Sequence, residues 1–237
     1  ILLLVSAALL LAVFETMPLD LSLQRLFYDR VLGDFPWRHN LLLADVLHTG
    51  ARELLIVLGL AALGVALLGT RGRLAWLPRR NAWLAATGLL VIPLGISALK
   101  ALTNRHCPWD VIDFGGYAPY VGLLAIPPDG IKPGGCFPAG HASAGFMWLI
   151  WGVALRPYSR RLANGALLAG LLLGGLLGGV QMLRGAHFLS HTLWSAWFAW
   201  AVCIALAVLF GAELRSQGGP SRQAAAGQIT KERVRNG

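Results

Sequence analysis

Apolar residues come in six long blocks separated by short polar or basic stretches: Ile1 to Phe14, Leu54 to Gly69, Ala82 to Leu99, Ala139 to Leu155, Ala163 to Leu183 and Thr192 to Ala212. Each block approaches or reaches the roughly 20 residues a helix needs to cross hydrocarbon, the first two being the shortest. The pattern predicts an all-α, polytopic membrane protein: a six-transmembrane-helix bundle over residues 1–212. A cleaved signal peptide is a second reading of the first block. Between the first two blocks, Asp20 to Arg52 mixes Leu23, Leu26, Phe27, Leu32, Phe35 and Trp37 with charges. That mixture suits one or two interfacial amphipathic helices, which either shape a lipid entrance or cap the bundle. Pro93 is expected to kink the third span. In the fifth, Gly170, Gly174 and Gly178, with Gly175 and Gly179, are spaced for close approach by another helix. Trp194, Trp197 and Trp200 read as interfacial and lipid-facing packing. Residues 213–237 turn polar and predict a disordered basic tail.

Composition agrees with the pattern. The chain is 56% hydrophobic and 13% charged, against about 25% charged for a soluble domain. Its net charge of +9 is unevenly placed. Arg71, Arg73, Arg79 and Arg80 follow the second block, Arg156, Arg160 and Arg161 the fourth, and Arg215, Arg222, Lys231, Arg233 and Arg235 lie in the tail. Six-span threading puts all three groups on one side, which the positive-inside rule makes cytoplasmic. Asp20, Asp29, Asp34, Asp45, Asp110, Asp113 and Asp129 fall on the other. The positive charge is therefore topology plus attraction to anionic lipid, and nucleic acid is excluded as a partner. Cys107 and Cys136 share one non-cytoplasmic loop. In an oxidising compartment they can bridge, worth roughly 3 to 4 kcal/mol of chain entropy; free thiols are the other reading.

The chemistry-bearing residues stand at the outer ends of three spans. Lys100 ends the third, and a lysine there ordinarily snorkels to the headgroups. A long Gly- and Pro-rich loop follows and ends in Pro138-Ala139-Gly140-His141, where the fourth span begins. Small residues at that helix start leave backbone N–H groups open to an anion. The fifth span ends in Gln181, Arg184 and His187, which share a face, and His191 follows one turn later. A guanidinium beside two imidazoles at a membrane boundary suits phosphate. No P-loop, dinucleotide fingerprint or zinc-binding cysteine pattern is present. A cysteine-phosphatase reading of His106-Cys107 fails because Asp113 stands where that chemistry needs arginine.

From Lys100 to His191 the sequence resembles the type 2 phosphatidic acid phosphatase (PAP2) superfamily. Its first motif is a lysine, six residues, then Arg-Pro; here Lys100 and Pro108 hold the register, with Cys107 at the arginine position and Arg105 or His106 nearby to compensate. The second, Pro-Ser-Gly-His, reads Pro138-Ala139-Gly140-His141, with Ser143 close by. In the third, His187 takes the histidine position, which puts Gln181 at the arginine position and His191 at the aspartate position. Arg184, one turn beyond Gln181, can take over phosphate binding. As a neutral imidazole, His191 can accept from His187, while Asp110 or Asp113 can supply the missing negative charge.

The resemblance implies a metal-independent lipid phosphatase without cofactor. His187 attacks phosphorus to form a phosphohistidine, and His141 protonates the leaving oxygen and then activates water. Lys100, Arg184, Arg105 and the Gly140 N–H neutralise the equatorial oxygens. A second register makes His191 the nucleophile and His187 its partner. The expected substrate is a lipid phosphate or pyrophosphate, met from the bilayer at the periplasmic face of a bacterial inner membrane. Transfer to an acceptor lipid in place of water, an inactive relative, and a non-catalytic transporter or scaffold are the alternatives.

Overall fold

The computed structural model describes residues 1–41, 43, 50–69 and 77–211. Arg71, Arg73, Asp45 and the basic tail of residues 213–237 lie outside the described residues. The described chain is helical: α1 (Leu2–Thr16), α2 (Leu19–Gln24), α3 (Ala51–Leu68), α4 (Arg79–Thr103), α5 (Gly140–Phe146), α6 (Ile150–Ala154), α7 (Arg160–Leu183) and α8 (Leu189–Leu209). Three of these, α4, α7 and α8, are long and apolar enough to cross a membrane. At 1.5 Å per residue their 25, 24 and 21 residues reach about 32 to 38 Å.

The other predicted spans are shorter or broken. α1 has 15 residues, and the apolar part of α3 runs from Ile56 to Leu68. The fourth block is not one regular helix: α5 gives way to a 3₁₀ turn at Met147–Leu149 before α6. Three-residue repeats eclipse side chains and close a helix more tightly than 3.6. An unbroken apolar run carries no mark of such a change. Among the described residues, the interfacial segment opens with one short helix, the six-residue α2. Turns follow in which Asp29 Oδ1 accepts from the Val31 and Leu32 amides and Asp34 Oδ1 from that of Phe35.

The main core lies where α4, the α5–α6 run, α7 and α8 meet, around Leu84, Leu89, Ile92, Phe146, Ile150 and Cys203. α7 approaches α5 through its glycines. A methyl on Gly174 would strike the Phe146 ring, one on Gly170 would meet the Leu149 amide at 3.0 Å, and one on Gly178 would strike Thr192 of α8. Gly175 and Gly179 face open space, so only one edge of the glycine-rich stretch is packing surface. α4 runs on through Pro93.

At one end of the bundle Asn81 Nδ2 donates to the Ala154 carbonyl (2.7 Å) and Arg80 to that of Gly211 (2.7 Å). The ends of α6 and α8 therefore lie beside the start of α4, and the ends carrying Lys100, His141 and His187 gather opposite. α1 is fastened to α8 by Trp197, whose Nε1–H reaches the Leu3 carbonyl (3.2 Å) and Ser6 Oγ (3.1 Å). At the other end of α1, the Glu15 carboxylate accepts from the Leu123 and Leu124 amides.

Candidate active site

Three helix ends meet here, and the loop between α4 and α5 is stitched so that two of them must. α4 ends at Asn104, a left-handed residue (φ 43°, ψ 51°). Its Oδ1 accepts from the Gly134 amide (2.7 Å), and Thr103 Oγ1 donates to the Phe137 carbonyl. The Cys136 amide donates to the Arg105 carbonyl (2.8 Å), and Cys107 and Cys136 form a disulfide with Cα atoms 5.2 Å apart. The chain leaving Lys100 thus runs beside the chain arriving at Gly140. A methyl on Gly140 would stand 3.7 Å from Lys100 Nζ, so the ammonium lies against the start of α5 and its open amides.

The third end is the turn from α7 to α8. Gly185 adopts φ +73°, which a residue with a Cβ reaches only under strain. It closes α7 with the Gly185 amide on the Met182 carbonyl (3.0 Å) and the Ala186 and His187 amides on the Gln181 carbonyl (2.8 and 3.3 Å). His187 is thereby fixed at its backbone before its ring meets anything. The ring is 3% exposed, its centroid 6.4 Å from that of His141 and 5.7 Å from that of His191. His187 Nδ1 and His191 Nδ1 are 3.4 Å apart, which leaves His187 Nε2 on the far side of its ring. His191 is held edge-on by Phe137 and Phe188 (5.3 and 5.4 Å), and its backbone carbonyl accepts from the Ala139 amide (3.1 Å). Burial first, then the neighbouring His191, Lys100 and His141, hold His187 well below the usual 6.5, with the Cys136 carbonyl pulling weakly the other way. An imidazole so held is neutral at neutral pH, the form with a lone pair to give.

The remaining predicted residues have definite occupations. Arg105 is buried and donates to the Leu123 and Ala125 carbonyls (2.8 Å each), and His106 Nε2 meets the Lys132 carbonyl (2.8 Å). Both fasten the long loop. Arg184 donates to Gln181 Oε1 (3.2 Å) and to the Arg38 carbonyl (3.3 Å), and Gln181 Nε2 is buried without a hydrogen-bond partner among the described residues. Asp113 pairs with Arg25 at 3.3 Å in a partly exposed bridge. The Asp110 carboxylate lies within 4.8 Å of the disulfide sulfurs. Ser143 Oγ turns back to the Gly140 carbonyl (2.6 Å).

A cavity of about 480 Å³ opens between α3, α4 and α5. Ile56, Leu60, Leu90, Leu94 and Met147 wall it, and Ser97, Lys100, Gly140 and His141 form its polar end. Behind His191 lies a second space of about 20 Å³, edged by Asp20, Arg105, His106, Tyr120 and Ser190.

The sequence profile of the PAP2 superfamily matches residues 81–215, more than half of the chain. The chain belongs to the PAP2 superfamily. It is thus a membrane-associated, phosphatase-like protein whose matched region takes in α4 to α8 and leaves α1, α2 and α3 outside. No curated protein and no solved structure matches the chain.

Sequence reasoning missed the site's most buried carboxylate. Asp20, 3% exposed, accepts from the Ser190 amide (2.9 Å), from Ser190 Oγ and from Tyr120 Oη (3.1 Å). Burial raises its pKa above the usual 3.8, against the pull of those three bonds. An aspartate between two leucines at the start of a helix was the available sign, and it reads equally well as an interfacial charge.

Proposed function

We propose that this PAP2 protein is an integral membrane phosphatase that removes phosphate from a lipid phosphate or pyrophosphate through a phosphohistidine. The observation that carries the reading is the 480 Å³ cavity, whose aliphatic walls end at Lys100, Gly140 and His141, with His187 the next ring behind. Such a cavity suits an acyl or isoprenoid tail whose phosphate meets a cation and two imidazoles. A soluble phosphate ester would have no use for the apolar walls.

In this reaction the substrate phosphate enters between the His141 and His187 rings. Neutral His187 attacks phosphorus through Nε2 while its Nδ1 stays with His191. Protonated His141 gives its proton to the departing lipid oxygen, and the P–O bond breaks as the P–N bond forms. His141, now neutral, takes a proton from water; the hydroxyl attacks phosphorus, and His187 leaves as neutral imidazole. Lys100 and the Gly140 amide stabilise charge on the equatorial oxygens. Arg184 joins them by turning from the Arg38 carbonyl, with Gln181 as its tether. The edge-on phenyl rings confine His191 to the supporting role, and His187 is the ring beside His141, which favours His187 as nucleophile over the reverse register.

The same reading takes α1, α3 and the α5–α6 run as the remaining crossings of a six-span unit, followed by a basic cytoplasmic tail. The arginines at the end of the bundle opposite the site support a periplasmic active site in a bacterial inner membrane, by the positive-inside rule. A disulfide beside the site agrees with that oxidising side. The test is phosphate release in detergent from phosphatidic acid or a polyprenyl pyrophosphate with chelator present. Chelator-resistant release, blocked by vanadate and lowered at least about 10⁴-fold by His187→Ala, is the expected result. A folded wild-type protein inactive on every lipid phosphate would leave a non-catalytic lipid-binding protein instead.

A further inference from the structure

The chain that holds the His187 turn in place does not come from the superfamily-matched region. Asp20 and Gln24 stand four residues apart on α2, on one face of the helix, and they grip the two sides of the turn. Gln24, fully buried, donates from Nε2 to the Met182 carbonyl (2.8 Å) in the last turn of α7. Asp20 receives both the amide and the hydroxyl of Ser190 in the first turn of α8. α8 has no side-chain cap of its own, since Phe188 stands at its N-cap. The Ser190 amide in its first turn and the positive end of its dipole are therefore met by a carboxylate 170 residues away in sequence. Between Met182 and Ser190 hangs His187, and His191 follows Ser190 directly.

The next stretch of the same segment covers the turn from above. The Phe35 ring, 2% exposed, fills the space a side chain at Gly185 would need, and the Arg38 carbonyl takes Arg184 Nε. Tyr120, from the long loop, adds a third donor to Asp20. The superfamily places a carboxylate four residues after the nucleophile, where this chain has His191. Here the nearby buried carboxylate bonds the backbone of the preceding residue and not an imidazole.

We infer that Asp20 and Gln24 are positioning residues for His187: α2 clamps the end of α7 to the start of α8, and so fixes where the His187 and His191 rings stand relative to Lys100 and His141. Their effect on turnover rests on the phosphatase reading above; the clamp itself does not. Neither side chain touches the reacting phosphate, so losing them misplaces the nucleophile and leaves substrate binding nearly intact.

The experiment uses the full chain in detergent micelles, with Asp20→Ala, Gln24→Ala and Asp20→Asn beside wild type, and has two arms. Amide hydrogen exchange reads the turn, and kcat and KM for phosphatidic acid read the chemistry. In the two alanine variants, exchange at residues 185–190 rises about tenfold or more while α4 and the middle of α7 keep their protection. kcat falls by about a hundredfold with KM within about threefold. Asp20→Asn keeps an oxygen for the Ser190 amide, and returns both readouts to within about threefold of wild type. Unchanged exchange, exchange raised evenly through α4, α7 and α8, a KM effect without a kcat effect, or a loosened turn with full kcat each overturns the inference. If wild type itself releases no phosphate, the exchange arm alone decides the clamp, and the phosphatase reading falls separately.

Discussion

The two spaces flanking the histidines differ in almost every respect. The front one, between α3, α4 and α5, is large, walled by aliphatic side chains and tipped with Lys100 and His141. The rear one has about the volume of a single water and is edged by Asp20, Arg105, His106, Tyr120 and Ser190. Polar groups crowd the small space and are sparse around the large one. The rear groups are almost wholly engaged with one another or with backbone: Arg105 on two carbonyls, His106 on a third, Asp20 on Ser190 and Tyr120. A buried polar network of that kind fixes geometry, whereas an apolar cavity with a cationic end selects a ligand.

Front and rear substitutions should therefore fail differently. Lys100→Met, at the front, should lower kcat by about 10² to 10³-fold without changing the melting temperature in detergent by more than a few degrees. A loss of fold would place Lys100 among the fasteners. Leu90→Trp, in the cavity wall, should raise KM for a long-chain lipid phosphate by about tenfold and leave a short-chain soluble analogue nearly untouched. Equal effects on both would show that the cavity does not hold the tail. The smallest effect expected is on pH. Because His187 is held below 6.5 in the folded protein, the unfolded chain binds its proton first as pH falls. Stability is then full above 6.5 and declines below it, by at most about 1.4 kcal/mol per pH unit from this group. The acid limb of kcat/KM should also lie below 6.5, and His187→Asn should flatten the stability profile between pH 8 and 5. A limb at or above 6.5 would mean that the ring is wetter than its burial suggests.

How far the sequence speaks differs between these regions. α4, α7 and α8 are legible because each is a continuous apolar run of full crossing length. The front residues Lys100, Gly140, His141 and His187 could be named because each sits at the edge of an apolar block and in register with a superfamily motif. The rear could not be assembled, since Asp20, Gln24 and Tyr120 meet Ser190 and Met182 only through tertiary packing. Their hydrogen bonds leave no periodic trace. The break at Met147–Leu149 was equally silent, because a change of helical pitch within a wholly apolar stretch alters no hydrophobic pattern. Arg105 was expected to bind phosphate because it stands two residues before the motif's arginine position; its guanidinium donates to the Leu123 and Ala125 carbonyls, an occupation that composition does not reveal.

The attachment of α1 has a consequence of its own. None of its fifteen side chains is fully buried, but the indole of Trp197 grips one end and the carboxylate of Glu15 grips the loop at the other. It resembles a rod pinned at two points more than a stave glued along its length. In the six-span arrangement proposed above, lipid would wet most of its circumference, and its aliphatic residues would be free to drift in identity. The pins are not, because in hydrocarbon an indole N–H or a loop amide stripped of its acceptor has no water to turn to.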